Sequence, residues 1–203
     1  MDYAISILVG YLLGSSSMTY YLGRLKNIDV RNHGTGNLGA SNAAVTMGWG
    51  AAVLVAIHDI GKAILAVYLA RWLFPNGLYL GELAGVACVV GHMYPFYLGF
   101  RGGKGLASFI GMTVALNFPI ALGAVILLIA VTALSDFIAL GTIALAVAVP
   151  AALWVMTGDP CIFLVLLPAT IVMILKHLEN LKRIVSGKEI GLRSTIKGEH
   201  RVK

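Results

Sequence analysis

Three observations predict an all-α, polytopic membrane helical bundle. Of the 203 residues, 59% are hydrophobic and only 12% charged, whereas soluble domains carry roughly 45–50% apolar and about 25% charged residues. Mean hydropathy is +0.87. Apolar runs of near-membrane length recur along the chain, parted by short polar or Gly- and Pro-bearing breaks. Together these place nearly the whole chain in or on a bilayer and exclude an ordinary soluble domain.

The run at 4–22 is longer than the apolar region of a removable signal peptide. No A-x-A-like site follows it, so it reads as a retained helix. Further crossings are expected at 46–73, 80–98, 105–118, 119–134, 137–157 and 160–176. The two runs flanking Asn117-Phe118-Pro119 are short for a span, which needs about 20 residues; fused, they make one kinked helix. Charge parity decides between the two readings. Arg24, Lys26 and Arg31, the loop with Arg101 and Lys104, and the tail from Lys176 to Lys203, with eight Lys/Arg against three Glu, belong on the cytoplasmic side by the positive-inside rule. Asp2, Glu82 and Asp159 mark the other face, with Arg71 an exception.

Seven crossings starting outside put all three basic segments inside, whereas six export the tail. Pro119 favours the break, because proline removes a helical hydrogen bond and clashes with the preceding turn. The expectation is about seven transmembrane helices, N-terminus outside and C-terminus cytoplasmic. Residues 1–203 form one membrane domain, with 177–203 including a basic cytoplasmic tail. In a soluble protein such a tail suggests nucleic acid; here the membrane rule accounts for it and no nucleic-acid partner is expected. Cys88 and Cys161 are far apart in apolar surroundings and read as small core residues, with no metal-ligand spacing.

Three polar segments share the cytoplasmic side. In the first, Gly34, Gly36 and Gly39 alternate with Thr35, Asn37, Ser41 and Asn42 ahead of an apolar helix. That order suits a nest of backbone amides feeding a helix N-terminus, which attracts anions; the plain alternative is an inter-helix loop with Asn42 as N-cap. The second runs from Gly91 to Gly105 and carries His92, Arg101 and Lys104. Lys104 between Gly103 and Gly105 suits a phosphate: glycines let amides close on an anion and the lysine adds a point charge. His92 is a donor to substrate or a capped interfacial histidine. The third runs from Lys176 to Gly187. His177 and Asn180, three apart, share a helix face and reach toward a headgroup. Leu178, Leu181, Ile184 and Val185 form the apolar stripe of an interfacial helix. Within the second crossing lie His58, Asp59 and Lys62, where ionisable residues are costly and face a partner or a cavity; Asp59 and Lys62 are spaced for an intrahelical ion pair. Ser135-Asp136 falls at the same side and either lines the site or forms a polar turn.

These segments, from about Gly14 to Glu189, resemble the bacterial acyl-phosphate:glycerol-3-phosphate acyltransferases, the PlsY family. The family's glycine-rich segment is matched by Gly34–Asn42. Its G-H-x-x-P-x-F-x-x-F-x-G-G-K-G segment is matched by Gly91–Gly105, with Tyr97 where that pattern has a phenylalanine. Its closing motif is matched by His177, Asn180, Arg183, Gly187 and Glu189, with Leu181 for Ile and Ile184 for Leu. A D-x-x-K pair is matched by Asp59 and Lys62. The chain departs from the pattern at Thr35 (usually Ser), Val45 (an Arg expected to bind phosphate), Met18 after the serines (commonly Pro) and Asp136 (usually Ser).

The resemblance implies transfer of a fatty acyl group from acyl phosphate to the 1-hydroxyl of glycerol 3-phosphate, giving lysophosphatidate and phosphate in phospholipid biosynthesis. It implies a multi-pass protein of the bacterial inner membrane, in contact with membrane lipids, without cofactor or metal. Lys104 with the amides of Gly102 and Gly103 would bind and neutralise phosphate. Thr35, Asn37 and the first-loop amides of Gly34, Gly36 and Gly39, with Asn42, would hold a second phosphate or the developing oxyanion. His177 and Asn180 would orient glycerol 3-phosphate, with His92 and Ser135 lining the site. Two other classes meet the same composition: a transporter of a phosphorylated anion, which would show paired broken helices in two halves, and a divergent non-catalytic membrane paralogue, which fits Val45.

Overall fold

A computed structural model describes residues 1–196; Lys197, Arg201 and Lys203 of the expected basic tail lie outside the described residues. The described residues form ten α-helices and two 3-10 turns, with no strand. The helices are α1 (Asp2–Ser15), α2 (Met18–Leu25), α3 (Ala40–Met47), α4 (Trp49–Leu73), α5 (Leu80–Met93), α6 (Leu106–Leu116), α7 (Phe118–Ser135), α8 (Ile138–Thr157), α9 (Pro160–Val185) and α10 (Leu192–Ile196).

Asn117 parts α6 from α7 as expected. Its extended backbone ends α6 and its side chain accepts from the Ile120 amide at 2.9 Å, with Pro119 in the first turn of α7. Three other expected runs are interrupted or cut short. The run at 4–22 is not one helix: Ser16 is extended, and the Ser17 hydroxyl caps α2 by accepting from the Tyr20 amide at 3.3 Å. The run from 46 breaks at Gly48, whose φ of +90° disfavours any other residue. The run at 80–98 is helical only to Met93, two residues before Pro95.

Five segments are long and apolar enough to cross a membrane: Asp2–Leu25, Trp49–Leu73, Phe118–Ser135, Ile138–Thr157 and Pro160–Val185. Helices α5 and α6, which fall on two more of the expected runs, are shorter. At 1.5 Å per residue α5 is about 21 Å long and α6 about 16 Å, against a hydrocarbon layer about 30 Å thick.

The core joins α4, α5, α6, α8 and α9 through Val67, Val89, Phe109, Met112, Leu145, Val149, Leu166 and Met173. Helix α1 lies against α5 with backbones touching. A Cβ at Gly10 would lie 2.2 Å from the Ala84 carbonyl oxygen, and one at Gly14 would lie 2.0 Å from that of Cys88. Small residues four apart permit this approach where lipid supplies no hydrophobic drive for helix association. Helices α8 and α9 are joined by a polar contact with a clear cause. Pro150 has no amide to give the Ala146 carbonyl four residues earlier, and the Thr170 hydroxyl of α9 donates to that carbonyl at 2.9 Å.

Candidate active site

Beyond Met93 the chain bends at Pro95, forms the 3-10 turn Phe96–Leu98 and doubles back. The Gly102 amide donates to the Met93 carbonyl at 3.2 Å and the Gly103 amide to the His92 carbonyl at 3.0 Å. A Cβ at Gly102 would sit 2.1 Å from the His92 oxygen, and one at Gly103 2.0 Å from the His92 ring. These glycines thus let the turn lie against the end of α5. The expectation that their amides bind phosphate is corrected, since both are engaged by main-chain carbonyls.

What the turn presents is the side chain of Lys104. Its ammonium donates to the Asn180 side-chain oxygen on α9, which joins the second polar segment to the third. Asn180 is oriented from its other end, where Nδ2 donates to Glu189 Oε1 at 2.5 Å. Arg183 Nε donates to Glu189 Oε2 at 2.6 Å. Glu189, a residue of the closing motif to which the resemblance gives no site role, lies two residues after Gly187 (φ +69°), where the chain leaves α9 and folds back. His177 is buried one turn before Asn180, with Nδ1 2.8 Å from the Met173 carbonyl. A carbonyl only accepts, so Nδ1 carries the proton and neutral His177 keeps a lone pair on Nε2. Lys176 lies 4.0 Å over the Tyr94 ring. Burial lowers the Lys104 pKa from the ordinary lysine value, Arg183 and Lys176 push it further, and Glu189 opposes them.

The first segment folds around Asn42, which is fully buried. Its amide donates to the carbonyls of Val30 at 3.3 Å and His33 at 3.1 Å, and its oxygen accepts from the Thr35 amide at 2.9 Å. Asn42 is therefore corrected from substrate ligand to the post that shapes the loop; the N-cap of α3 is Gly39. The amides of Thr35 and Gly36 are likewise engaged, the latter by the His33 carbonyl at 3.0 Å. Gly34, at φ +59°, packs on Asn42. The exposed Thr35 hydroxyl and the Asn37 amide have no hydrogen-bond partner among the described residues. Leu98 packs with Val30 and Leu38, and the Tyr20 and Tyr97 rings meet at 5.9 Å, so this loop abuts the second segment. Among the described residues, no direct bond ties it to Lys104. Val45 is 52% exposed beside a cleft of about 300 Å³ bordered by His33, Gly34 and Thr46.

Ser135 is also corrected. Its hydroxyl donates to the Val131 carbonyl at 2.6 Å and accepts from the Phe137 amide at 3.2 Å, which shapes the α7–α8 turn. Asp136 holds the C-terminal segment there: its carbonyl accepts from the Leu192 amide at 2.7 Å and its carboxylate from the Arg193 amide at 2.8 Å.

His92 lies inside the bundle, 6% exposed, with its Nδ1 3.0 Å from Lys62 Nζ. Asp59 and Lys62 form the expected pair at 2.7 Å.

Fold and site together define a multi-pass membrane protein with fixed cations gathered at one end of its helices. Comparison with known proteins narrows this class. A family model described as glycerol-3-phosphate acyltransferase matches residues 4–187. The glycerol-3-phosphate acyltransferase of Parasynechococcus marenigrum (strain WH8102) is 36% identical over 182 residues, covering 89% of this chain and 85% of that protein. That of Shouchella clausii (strain KSM-K16) is 38% identical over 192 residues, covering 91% and 93%. The crystal structure of PlsY (YgiH), an integral membrane glycerol 3-phosphate acyltransferase, superposes in its glycerol 3-phosphate form with a TM-score of 0.88 at 28% identity, covering 96% of this chain and 98% of that one. Its lysophosphatidic acid form gives 0.84 at 27% identity. The chain belongs to the glycerol-3-phosphate acyltransferase family, and it is an acyltransferase of the PlsY type.

Proposed function

We propose that the protein moves a fatty acyl group from acyl phosphate to the 1-hydroxyl of glycerol 3-phosphate at the cytoplasmic face of the bacterial inner membrane. The observation that carries this reading is the Lys104–Asn180 contact, which puts a fixed cation beside His177 and Asn180. Acyl phosphate is a mixed anhydride with a good leaving group, so anchoring and orientation supply much of the acceleration. The Lys104 ammonium neutralises the phosphate, with the charges of Arg183 and Lys176 behind it. The Thr35 hydroxyl and Asn37 amide of the first loop hold a second anionic oxygen. The glycerol hydroxyl donates to His177 Nε2 and its oxygen attacks the acyl carbonyl. The bond from that carbon to the phosphate oxygen breaks, and His177 hands the hydroxyl proton from Nε2 to the departing phosphate. The acyl chain lies between helices, against lipid.

Purified protein given acyl phosphate and glycerol 3-phosphate should release phosphate and form lysophosphatidate, with no product from acyl-CoA. Product from acyl-CoA instead would overturn the donor assignment. Absence of turnover with either donor would favour the non-catalytic paralogue.

A further inference from the structure

Three buried ionisable side chains near the middle of α4 and the end of α5 are more fully engaged than an ion pair requires. Asp59 is 1% exposed, Lys62 and His92 6% each. A lysine ammonium has three hydrogens and no lone pair. Lys62 Nζ has three partners: Asp59 Oδ1 at 2.7 Å, the Ser16 carbonyl at 2.7 Å and His92 Nδ1 at 3.0 Å. The first two can only accept. The third hydrogen therefore points at His92, and Nδ1 must be the unprotonated nitrogen. A proton on Nδ1 would instead face Asp59 at 3.4 Å, while opposing the ammonium at the shorter distance. His58 meets the same carboxylate oxygen, with Nδ1 3.3 Å from Asp59 Oδ1 and Nε2 3.0 Å from the Ser16 hydroxyl.

The proton of neutral His92 thus sits on Nε2, the atom that fills the space beside Gly103. The same residue's carbonyl accepts from the Gly103 amide. His92 therefore fixes the residue before Lys104 by both main chain and ring. It also turns a donor, not a lone pair, toward a turn that meets an anion.

We propose that Asp59 and Lys62 are positioning residues for acyl transfer, holding His92 as the Nε2–H tautomer so that its ring braces the Lys104 turn. This rests on the reading of Lys104 as the phosphate ligand. Charges are retained inside membrane segments where they serve a site, and a 1 Å misplacement of a catalytic group suffices to lower turnover about 100-fold.

The test uses the intact protein in detergent, with its histidines labelled by nitrogen-15 and the His92 signals assigned by their loss in His92→Gln. Removing one member of a buried pair leaves the other charge unpaired, whereas replacing both by apolar residues is often neutral. The informative variant is therefore Asp59→Leu/Lys62→Met. The expected result is Nε2–H alone for His92 in the parent and a mixture of tautomers in the double variant. With it, kcat should fall about 10- to 100-fold while the thermal midpoint and the KM for glycerol 3-phosphate stay near those of the parent. His92 protonated at Nδ1 in the parent overturns the proposal, and so does a folded double variant with parental kcat. A parent that makes no lysophosphatidate sinks the acyl-transfer reading instead, and the nitrogen signals still decide the tautomer.

Discussion

At Lys104 one side chain carries what the sequence distributed over a whole loop. With the amides of Gly102 and Gly103 engaged by the end of α5, stabilisation of developing charge in the proposed reaction would fall to the ammonium. Lys104→Ala should then lower kcat about 100- to 1,000-fold, the scale seen on removing one such donor, and a folded variant with near-parental turnover contradicts that role. The ammonium must be charged to act, and burial with Arg183 and Lys176 nearby favours its neutral form. The alkaline limb of kcat/KM, which reports free enzyme, should accordingly fall below the pH of about 10.4 at which an ordinary lysine titrates. Glu189 is the group holding that charge on. Glu189→Gln keeps an oxygen for Asn180 and removes the counter-charge, so the limb should move to still lower pH; a limb that stays put or rises refutes this coupling. Lys104, His177 and Asn180 could be singled out in the sequence because a charge inside a glycine turn, and two polar groups on one helix face, have few structural uses. Gly102, Gly103 and Asn42 could not be read in this way. A glycine that exposes an amide and one that admits a neighbouring backbone read alike in sequence, and only the fold tells an asparagine that binds ligand from one that binds its own loop.

Among the elements, proline and glycine decide where helices stop and how closely they pass. The Asn117–Pro119 break was readable because capping side chain and proline coincide with a charge count that demands it. The interruptions at Ser16–Ser17 and Gly48 leave no mark on apolar length, the quantity that located the runs. Close helix packing was also hidden. Gly10 and Gly14 lie four apart, but their partners on α5, Ala84 and Cys88, are identified only by the fold. Gly14→Val would drive a branched side chain into the Cys88 main chain. Overpacking of this kind costs about 1–3 kcal/mol, so the thermal midpoint in detergent should fall. The Lys62 contact with the Ser16 carbonyl, just past the end of α1, should weaken with it, lowering turnover. A variant as stable and as active as the parent would show that α1 and α5 separate without consequence.

Across the whole molecule, charge and contacts sort the connections between two ends. One end gathers the first loop with the Phe96–Leu98 turn through Val30, Leu38 and Leu98. Lys104 and Asn180 meet there, and the α7–α8 turn meets the C-terminal segment through Asp136. The other gathers Arg71 with Glu82 at 2.9 Å and with the Ala115 carbonyl at 3.2 Å, and Tyr79 with Asp159 at 2.5 Å. Arg71, the exception to the charge rule, is thus matched by an acid at its own end. Seven traverses, with the short α5 and α6 completing the count, would alternate between these ends, and the positive-inside rule would then put the Lys104 end in the cytoplasm. Alkaline phosphatase, active only when exported, provides the check. Fusions after Asn27, Gly99 and Asp136 should be inactive, and fusions after Asn76, Asn117 and Gly158 active. The Asn117 and Asp136 fusions carry the decision, because treating α6 and α7 as a single span removes the exported connection between them. Inactive enzyme after Asn117 with active enzyme after Asp136 would reverse the second half of the bundle and place its C-terminus outside. An acyl phosphate supplied from the cytoplasmic side would then have no route to the Asn180 end of α9.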